Sequence, residues 1–210
     1  NRNTPSFRQF MSHTNFSFVS TFLATHVPAN NSFIKNNAIK TIYTNKQRRT
    51  NVRLFMDEMG VQQKYAASSI CFGCGPANKE GLRINSTRIE NGLYLEYMPE
   101  EHHQAFPGMI NGGIIGTLLD CHGNWTAAIA LMDKNGEEQP PCTVTASYSV
   151  KLRRPTPNDT MLCITSQVKS IEGNKVEVEL LLEAEGKVCA TGSGLFVAVK
   201  EGHPAYHRWS

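Results

Sequence analysis

Acidic residues are missing from the first 56 positions of this 210-residue chain, which carry eight basic residues. The rest of the chain holds 13 basic and 18 acidic residues, so a basic leading segment precedes an acidic body. A phosphate backbone requires a clustered positive surface, and the acidic body therefore argues against a nucleic acid partner. The sequence also lacks an apolar run of the roughly 20 residues that a membrane-spanning helix requires, so we expect no membrane span.

Cysteine is sparse as well, because six residues in this length are too few for a disulfide scaffold. No signal peptide with an apolar core precedes them, and we expect reduced thiols in an intracellular compartment. Cys71 and Cys74 have the spacing of a zinc or redox pair, but a structural zinc site generally needs four ligands and no second pair exists. His102 and His103 are the candidates to complete such a site. The favoured interpretation is a loop that packs at the sheet edge, with no metal and no cofactor.

The leading segment, residues 1–64, is rich in Asn, Ser and Thr and shows neither helical nor strand periodicity. This composition predicts a disordered extension. A basic, hydroxyl-rich and acid-free segment is typical of an organelle transit peptide, although an unconstrained extension has the same composition. The expected location is the cytoplasm, or a mitochondrion or plastid if the segment is a transit peptide.

Residues 65–200 form the predicted folded domain, and residues 201–210 form a C-terminal tail. Alternation of apolar and polar residues predicts strands, and turn pairs between them predict antiparallel hairpins. The predicted strands cover residues 82–89, 93–98, 143–152, 161–170, 175–184 and 188–199. One helix, apolar on most sides, is predicted over residues 112–132. This order predicts an α+β fold, in which an antiparallel five- or six-stranded sheet wraps around one long central helix.

The start of the predicted helix carries the most informative motif, the glycine pair Gly112 and Gly113. Paired glycines let a ligand approach the backbone closely, and free amides there carry the positive end of the helix dipole. The pattern therefore indicates a site for an oxyanion or a carbonyl group.

Asp120 is the one acidic residue within the predicted helix. Helical spacing places it on the face that carries the two glycines and also Gly116, Thr117 and Asn124. A buried carboxylate is costly unless it is paired, hydrogen-bonded or used in chemistry. A structural carboxylate satisfied by a neighbouring hydroxyl or amide is one interpretation. We favour a catalytic carboxylate, because the glycine-opened helix and the inward acidic group occur together.

The distance between these two features predicts an oligomer. Gly112 and Asp120 lie eight residues apart, which separates them by about 12 Å along a helix. A base must lie within about 3 Å of its proton, and an oxyanion donor must lie equally close to the developing charge. One helix therefore does not supply both groups to one site. If both act, a second copy of the chain contributes one of them, which predicts active sites shared across a homodimer.

Several motifs in combination resemble a known family. They are Cys71-Phe72-Gly73-Cys74-Gly75, Gly81-Leu82, Pro107-Gly108, Gly112-Gly113, Leu118-Leu119-Asp120, Thr145-Ala146-Ser147-Tyr148 and Arg154-Pro155-Thr156-Pro157. The resemblance covers about residues 71–199, essentially the whole folded body. On these motifs the sequence resembles the hotdog-fold acyl-CoA thioesterases, in their phenylacetate-pathway or PaaI-like branch.

The resemblance implies that a homodimer, or a tetramer built as a dimer of dimers, hydrolyses an acyl-CoA thioester. The Gly112 amide would polarise the thioester carbonyl, and Asp120 would act as general base on water or as nucleophile. In some relatives a Thr at the position of Thr145 helps to hold the water. The usual His-Gly-Gly of the family is Asn111-Gly-Gly here, and Asn carries no titrating proton at neutral pH. We expect Asn111 to shape the turn.

The expected substrate-binding residues lie on the helix and at the end of one strand: Gly113, Thr117, Asn124, Arg153 and Arg154. The two arginines follow Lys151, where cations would meet the phosphates of coenzyme A, although a solvated strand end has the same composition. Asn124 would help to orient the water, and His122 is expected to be a core or interface residue. The alternative functions are a non-catalytic acyl-CoA binding protein and, less favoured, a hotdog dehydratase, which would need a His where Asn111 stands.

Overall fold

The structure is a computed structural model that describes residues 59–209. Most of the predicted extension, with its transit-peptide interpretation, lies outside these residues. The described part opens with a short helix, α1 (Val61–Tyr65), whose Val61 and Gln62 side chains are buried. The folded body therefore begins before residue 65, the boundary predicted from composition.

Antiparallel strands make up most of the fold. The strands within residues 59–209 are β1 (Thr87–Ile89), β2 (Gly92–Tyr97), β3 (Gln104–Phe106), β4 (Met109–Ile110), β5 (Thr143–Leu152), β6 (Leu162–Glu172), β7 (Lys175–Ala184) and β8 (Lys187–Ala198). Six of them form one sheet in the order β1-β2-β6-β7-β8-β5, and every neighbouring pair is antiparallel. The predicted sheet is therefore confirmed with six strands, and β5 lies at one of its edges.

The sheet encloses one long helix, α2 (Gly112–Asn135). The helix begins where the sequence predicts and ends at Asn135, three residues beyond the predicted end. Gly136 follows as its C-cap, in the left-handed backbone conformation. Fifteen of its 24 residues are buried, so the sheet covers it on most sides. The predicted α+β arrangement is confirmed. No helix in the described part combines the length and the apolar character needed to cross a bilayer.

Two segments differ from the sequence prediction. Residues 82–86 alternate in burial like a strand, but they do not join the sheet. The Leu82 and Ile84 amides instead donate to the carbonyls of the loop at residues 72 and 73. The second difference lies around Gly108, where the predicted chain break is the turn between β3 and β4. These two strands form a separate small ribbon just before α2 begins.

His122 of α2 is a core residue, as predicted, and its side chain is fully buried. Its Nε2 lies 3.2 Å from the carbonyl oxygen of Leu93, which only accepts, so this nitrogen carries the proton. Nδ1 then accepts from the Ser86 hydroxyl at 2.9 Å. Gln62 of α1 donates to the same hydroxyl oxygen at 3.0 Å. Burial lowers the pKa of His122 to about 4, so the imidazole is a neutral structural group.

The predicted C-terminal tail is part of the folded body. Trp209 is only 8% exposed and stacks on Trp125 of α2, with 4.0 Å between the ring centroids and 26° between the ring planes. The neighbouring Arg208 donates to the Thr143 carbonyl at 3.0 Å. The last residues described therefore close one side of the core over the central helix.

Replacing this ring, Trp209→Ala, is expected to lower the free energy of unfolding by about 3 kcal/mol, because a buried aromatic side chain is lost and Trp125 is uncovered. Denaturant unfolding of the full chain measures the change. Tyr206→Ala is the matched control, since this ring is 37% exposed and its loss should change stability by no more than about 0.5 kcal/mol. Equal stabilities for the two variants would contradict the packing described here.

Candidate active site

An open groove of about 430 Å³ lies where the start of α2 faces β5. Glycines of the helix and side chains of the strand line it: Gly112, Gly113, Gly116, Tyr148, Val150 and Leu152. Tyr148 and Leu152 are large side chains, yet they are 50% and 56% exposed. Because β5 is the last strand of the sheet, the groove opens beside a sheet edge that no strand within residues 59–209 covers.

The cap of α2 leaves one of the two glycine amides available. The Asn111 side chain accepts the Gly113 N–H at 2.7 Å from an extended backbone with φ −66° and ψ 135°. The free amides predicted at the helix start therefore do not include that of Gly113. The Gly112 N–H has no hydrogen-bond partner in the described part of the chain. Asn111 makes the contact that a turn-shaping residue would make.

The space around these glycines is small. A methyl group on Gly112 would lie 3.2 Å from Leu152 Cδ1, and one on Gly113 would lie 2.9 Å from Asn111 Oδ1. A side chain at either position would press on the groove wall or on the cap. The glycine pair therefore keeps the first amide of the helix open towards the groove.

The Asp120 carboxylate ends a chain of hydrogen bonds between α2 and β5. The Thr145 hydroxyl donates to Asp120 Oδ1 at 2.7 Å. Asn124 Nδ2 donates to Thr145 Oγ1 at 3.3 Å, and the Thr143 hydroxyl donates to Asn124 Oδ1 at 2.8 Å. These bonds fix the direction of the Thr145 proton. Asp120 is half-buried, and within residues 59–209 its second oxygen accepts no hydrogen bond.

Burial raises the pKa of Asp120 above its ordinary value. The hydrogen bond from Thr145 and the positive charge of Arg208 oppose this shift, but desolvation is the larger effect. Sequence reasoning missed Arg208, because it lies in the segment taken for a tail. No local pattern connects it with a carboxylate 88 positions earlier in the chain.

A bulge in β5 brings Thr145 and the groove residues to the same side of the strand. Thr145 pairs with Phe196 and Ser147 pairs with Leu195, so Ala146 is an extra residue in β5. Side chains alternate between the faces of a strand, and without the bulge Thr145 would point away from the face that carries Tyr148. The inserted residue shifts the alternation of side chains by one position, so the side chains of Thr145 and Tyr148 both face α2.

The remaining predicted binding residues are spread along the two elements. The Thr117 hydroxyl donates to the Gly113 carbonyl at 3.0 Å, within its own helix. Asn124 is only 4% exposed, and its contacts are with the β5 threonines. Arg153 and Arg154 are exposed at the end of β5, next to the groove-lining Leu152. The Arg153 Nε donates to the Thr191 hydroxyl at 3.2 Å.

The predicted histidine ligands do not lie with the cysteine loop. His103 Nδ1 accepts from the Glu100 amide at 3.0 Å, and His102 Nδ1 lies 3.7 Å from a Glu100 carboxylate oxygen. The one group of three or more potential metal ligands within residues 59–209 consists of cysteines: Cys71, Cys74 and Cys121. The idea that His102 and His103 complete a zinc site is therefore wrong. Sequence reasoning missed Cys121, because it is 47 positions away from Cys74 and lies in a helical pattern.

Comparison with known proteins gives one curated relative and several similar structures. No protein-family model matches the chain. The acyl-coenzyme A thioesterase THEM4 of Rattus norvegicus is 25% identical over 105 residues, which are 49% of this chain and 41% of that protein. The chain therefore matches less than half the length of this relative.

The solved structures that are similar to the chain include the following two. The first is a thioesterase superfamily protein that is 19% identical, with 81% of each chain covered and a TM-score of 0.53. The second is the E. coli PaaI protein from the phenylacetic acid degradation operon, 15% identical over 57% of this chain and 81% of that chain, with a TM-score of 0.49. The likeness to the first confirms the predicted hotdog arrangement. The chain thus shares the fold of that protein and has a distant sequence similarity to an acyl-coenzyme A thioesterase.

Proposed function

We propose that the chain is a thioesterase that hydrolyses an acyl-CoA thioester to a free acid and coenzyme A. The observation that carries the proposal is the Asp120 carboxylate, half-buried on an enclosed helix and hydrogen-bonded by Thr145. The unpartnered Gly112 amide at the groove, on the same helix, supports it. The similarity to an acyl-coenzyme A thioesterase gives the substrate class.

The helix start would bind the thioester carbonyl. The Gly112 N–H points out of the first turn, where the helix dipole is positive, and it donates to the carbonyl oxygen. As the carbonyl carbon becomes tetrahedral, negative charge collects on this oxygen and the hydrogen bond strengthens. Asn111 holds the turn that presents this amide, and it transfers no proton.

Asp120 would act as the general base. Its Oδ1 is held by Thr145, and the second oxygen accepts a proton from water as the water oxygen bonds to the carbonyl carbon. The carbonyl π electrons move to the oxygen at the Gly112 amide. When the tetrahedral species collapses, the C–S bond breaks and the thiolate of coenzyme A takes the proton from Asp120. Direct attack by the carboxylate, through an acyl anhydride, is the alternative use of the same group.

We propose further that two chains form each site. Asp120 does not line the groove of its own chain, and about 12 Å of helix separates it from Gly112. Along β5, Thr145 lies level with Asp120, whereas Leu152 lies level with Gly112. If two β5 edges pair in antiparallel fashion about a two-fold axis near Tyr148, the Thr145 end of one strand meets the Leu152 end of the other. The partner's carboxylate then faces the groove.

The end of β5 would also bind the coenzyme A part of the substrate. Arg153 and Arg154 are exposed directly after the groove-lining Leu152. Guanidinium groups bind phosphate oxygens in a bidentate manner, so their position suits the phosphates of coenzyme A at the mouth of the groove.

Asp120→Asn is expected to lower the turnover of acyl-CoA about 10²- to 10⁴-fold, because the amide takes no proton from water. Release of free thiol from a panel of acyl-CoA substrates measures this activity. Asp133→Asn is the matched control on the same helix, since Asp133 is exposed and pairs only with Arg88 at the surface. The control should keep wild-type turnover. Saturable acyl-CoA binding by the wild type without thiol release would show a binding protein instead of an enzyme.

Two variants separate the role of the Gly112 N–H from the effect of having no side chain at this position. Gly112 is the first residue of α2, where proline is tolerated, and the ψ of 135° at Asn111 suits a residue before proline. Gly112→Pro removes the N–H and should lower kcat about 10²- to 10³-fold. Gly112→Ala keeps the N–H and adds a similar crowding against Leu152, so its loss should be much smaller. Equal losses for both variants would indicate that only space matters here.

A mixed dimer tests whether the site is shared. One chain carries Asp120→Asn and the other carries Gly112→Pro, and different affinity tags isolate dimers that contain one of each. One of the two shared sites then has both groups intact, so about half of the wild-type activity should return. Activity as low as that of the two single variants would mean that each site lies within one chain.

A further inference from the structure

Three cysteine sulfurs meet between the loop before β1 and the central helix. Cys71 and Cys74 belong to the loop at residues 71–75, and Cys121 belongs to α2, one residue after Asp120. The three Sγ atoms all lie within 4.8 Å of one another, and Cys71 Sγ is 3.9 Å from Cys121 Sγ. Cys74 and Cys121 are buried and Cys71 is half-buried. We call this group the cysteine cluster.

The spacing of the cluster matches a shared metal ion. In a tetrahedral zinc site each sulfur lies about 2.3 Å from the ion, so two sulfur ligands lie about 3.8 Å apart. The observed separation of Cys71 and Cys121 is close to that value, and the wider limit of 4.8 Å requires only side-chain adjustment. The three sulfurs therefore lie close enough together to share one ion.

The backbone of the loop is folded so that its thiols reach the helix. The Gly75 amide donates to the Cys71 carbonyl at 2.8 Å, which closes a tight turn around the cysteine pair. Gly73 faces Cys121, and a methyl group at Gly73 would lie 2.4 Å from its sulfur. Only glycine therefore permits this approach. The amides of Leu82 and Ile84 fasten the loop at 2.7 and 3.1 Å through its carbonyl groups.

The ligand atoms of the cluster restrict which metal ions it can bind. The cluster offers three sulfurs and no carboxylate or imidazole, and thiolates bind soft metal ions such as zinc and monovalent copper. The partly exposed Cys71 gives access from solvent. The remaining cysteines lie elsewhere, on or next to separate strands: Cys142, Cys163 and Cys189.

We propose that Cys71, Cys74 and Cys121 bind one thiophilic metal ion, zinc(II) or copper(I). Among residues 59–209 no fourth donor joins the cluster, so a bound zinc ion would take its fourth ligand from solvent, and copper(I) would be held by the three thiolates alone. The ion ties the loop to α2 directly behind the carboxylate of the candidate active site. The proposal does not depend on thioesterase activity.

The test uses the full chain, purified with a reductant and without chelators. Elemental analysis should find about one metal ion per chain, and its identity separates zinc from copper. After removal of the metal, titration with cobalt(II) should give the thiolate charge-transfer and visible bands of a tetrahedral site. Addition of zinc(II) or copper(I) should abolish these bands by competition, and the bound metal should raise the melting temperature.

Cys71→Ser and Cys74→Ser should each lower the affinity for the metal by at least about 10-fold, because a ligand is removed. Cys71 is the half-buried member, and its variant is the one expected to fold without difficulty, which circular dichroism verifies. Cys163→Ser, on β6, is the matched control and should bind as the wild type does. Absence of metal binding by the fully reduced protein, or an equal loss of affinity in the control, would overturn the proposal.

Discussion

Enclosure of one helix by a single sheet is the constraint on which the rest of the structure depends. A helix covered on most sides must satisfy its polar groups inside the protein. It does so through the segments around it: the Thr126 hydroxyl lies 2.6 Å from that of Ser166 on β6, and His122 lies 2.9 Å from Ser86, just before β1. In the described part of the chain, Thr156 Oγ1 is the one buried side-chain oxygen or nitrogen left without a partner.

The same constraint accounts for the environment of the acidic group. Asp120 is half-buried between buried neighbours on α2, so the carboxylate is desolvated without being sealed. Three polar side chains, two of them from the edge strand, hold it in a fixed geometry, and the extra residue in β5 makes their approach possible. The strand that stabilises the carboxylate is therefore also the strand that leaves the groove open.

The spacing of apolar residues predicted most of the fold, because buried positions recur at regular intervals along each helix and strand. The bounds of α2 and of β5 to β8 agree with the prediction to within three residues. Residues 82–86 differ from the prediction, because their backbone amides bond to the cysteine loop and not to a strand of the sheet, and a local pattern does not reveal the partner. The positions of Cys121, Arg208 and Trp209 depend on contacts between distant parts of the sequence, which leave no periodic signal. Within the candidate site, Asp120 and the glycine pair were recognisable from spacing, but the loss of one free amide to the Asn111 cap was not.

The uncovered edge of β5 matters for a newly synthesised chain. Its amides and carbonyls can pair with any extended peptide, and the neighbouring Tyr148 and Leu152 add apolar surface that favours such pairing. If an identical strand occupies this edge, as we propose above, correct association of the folded monomer competes with aggregation. The cellular yield would then depend on how quickly copies meet, and hence on the local synthesis rate and on chaperone capacity.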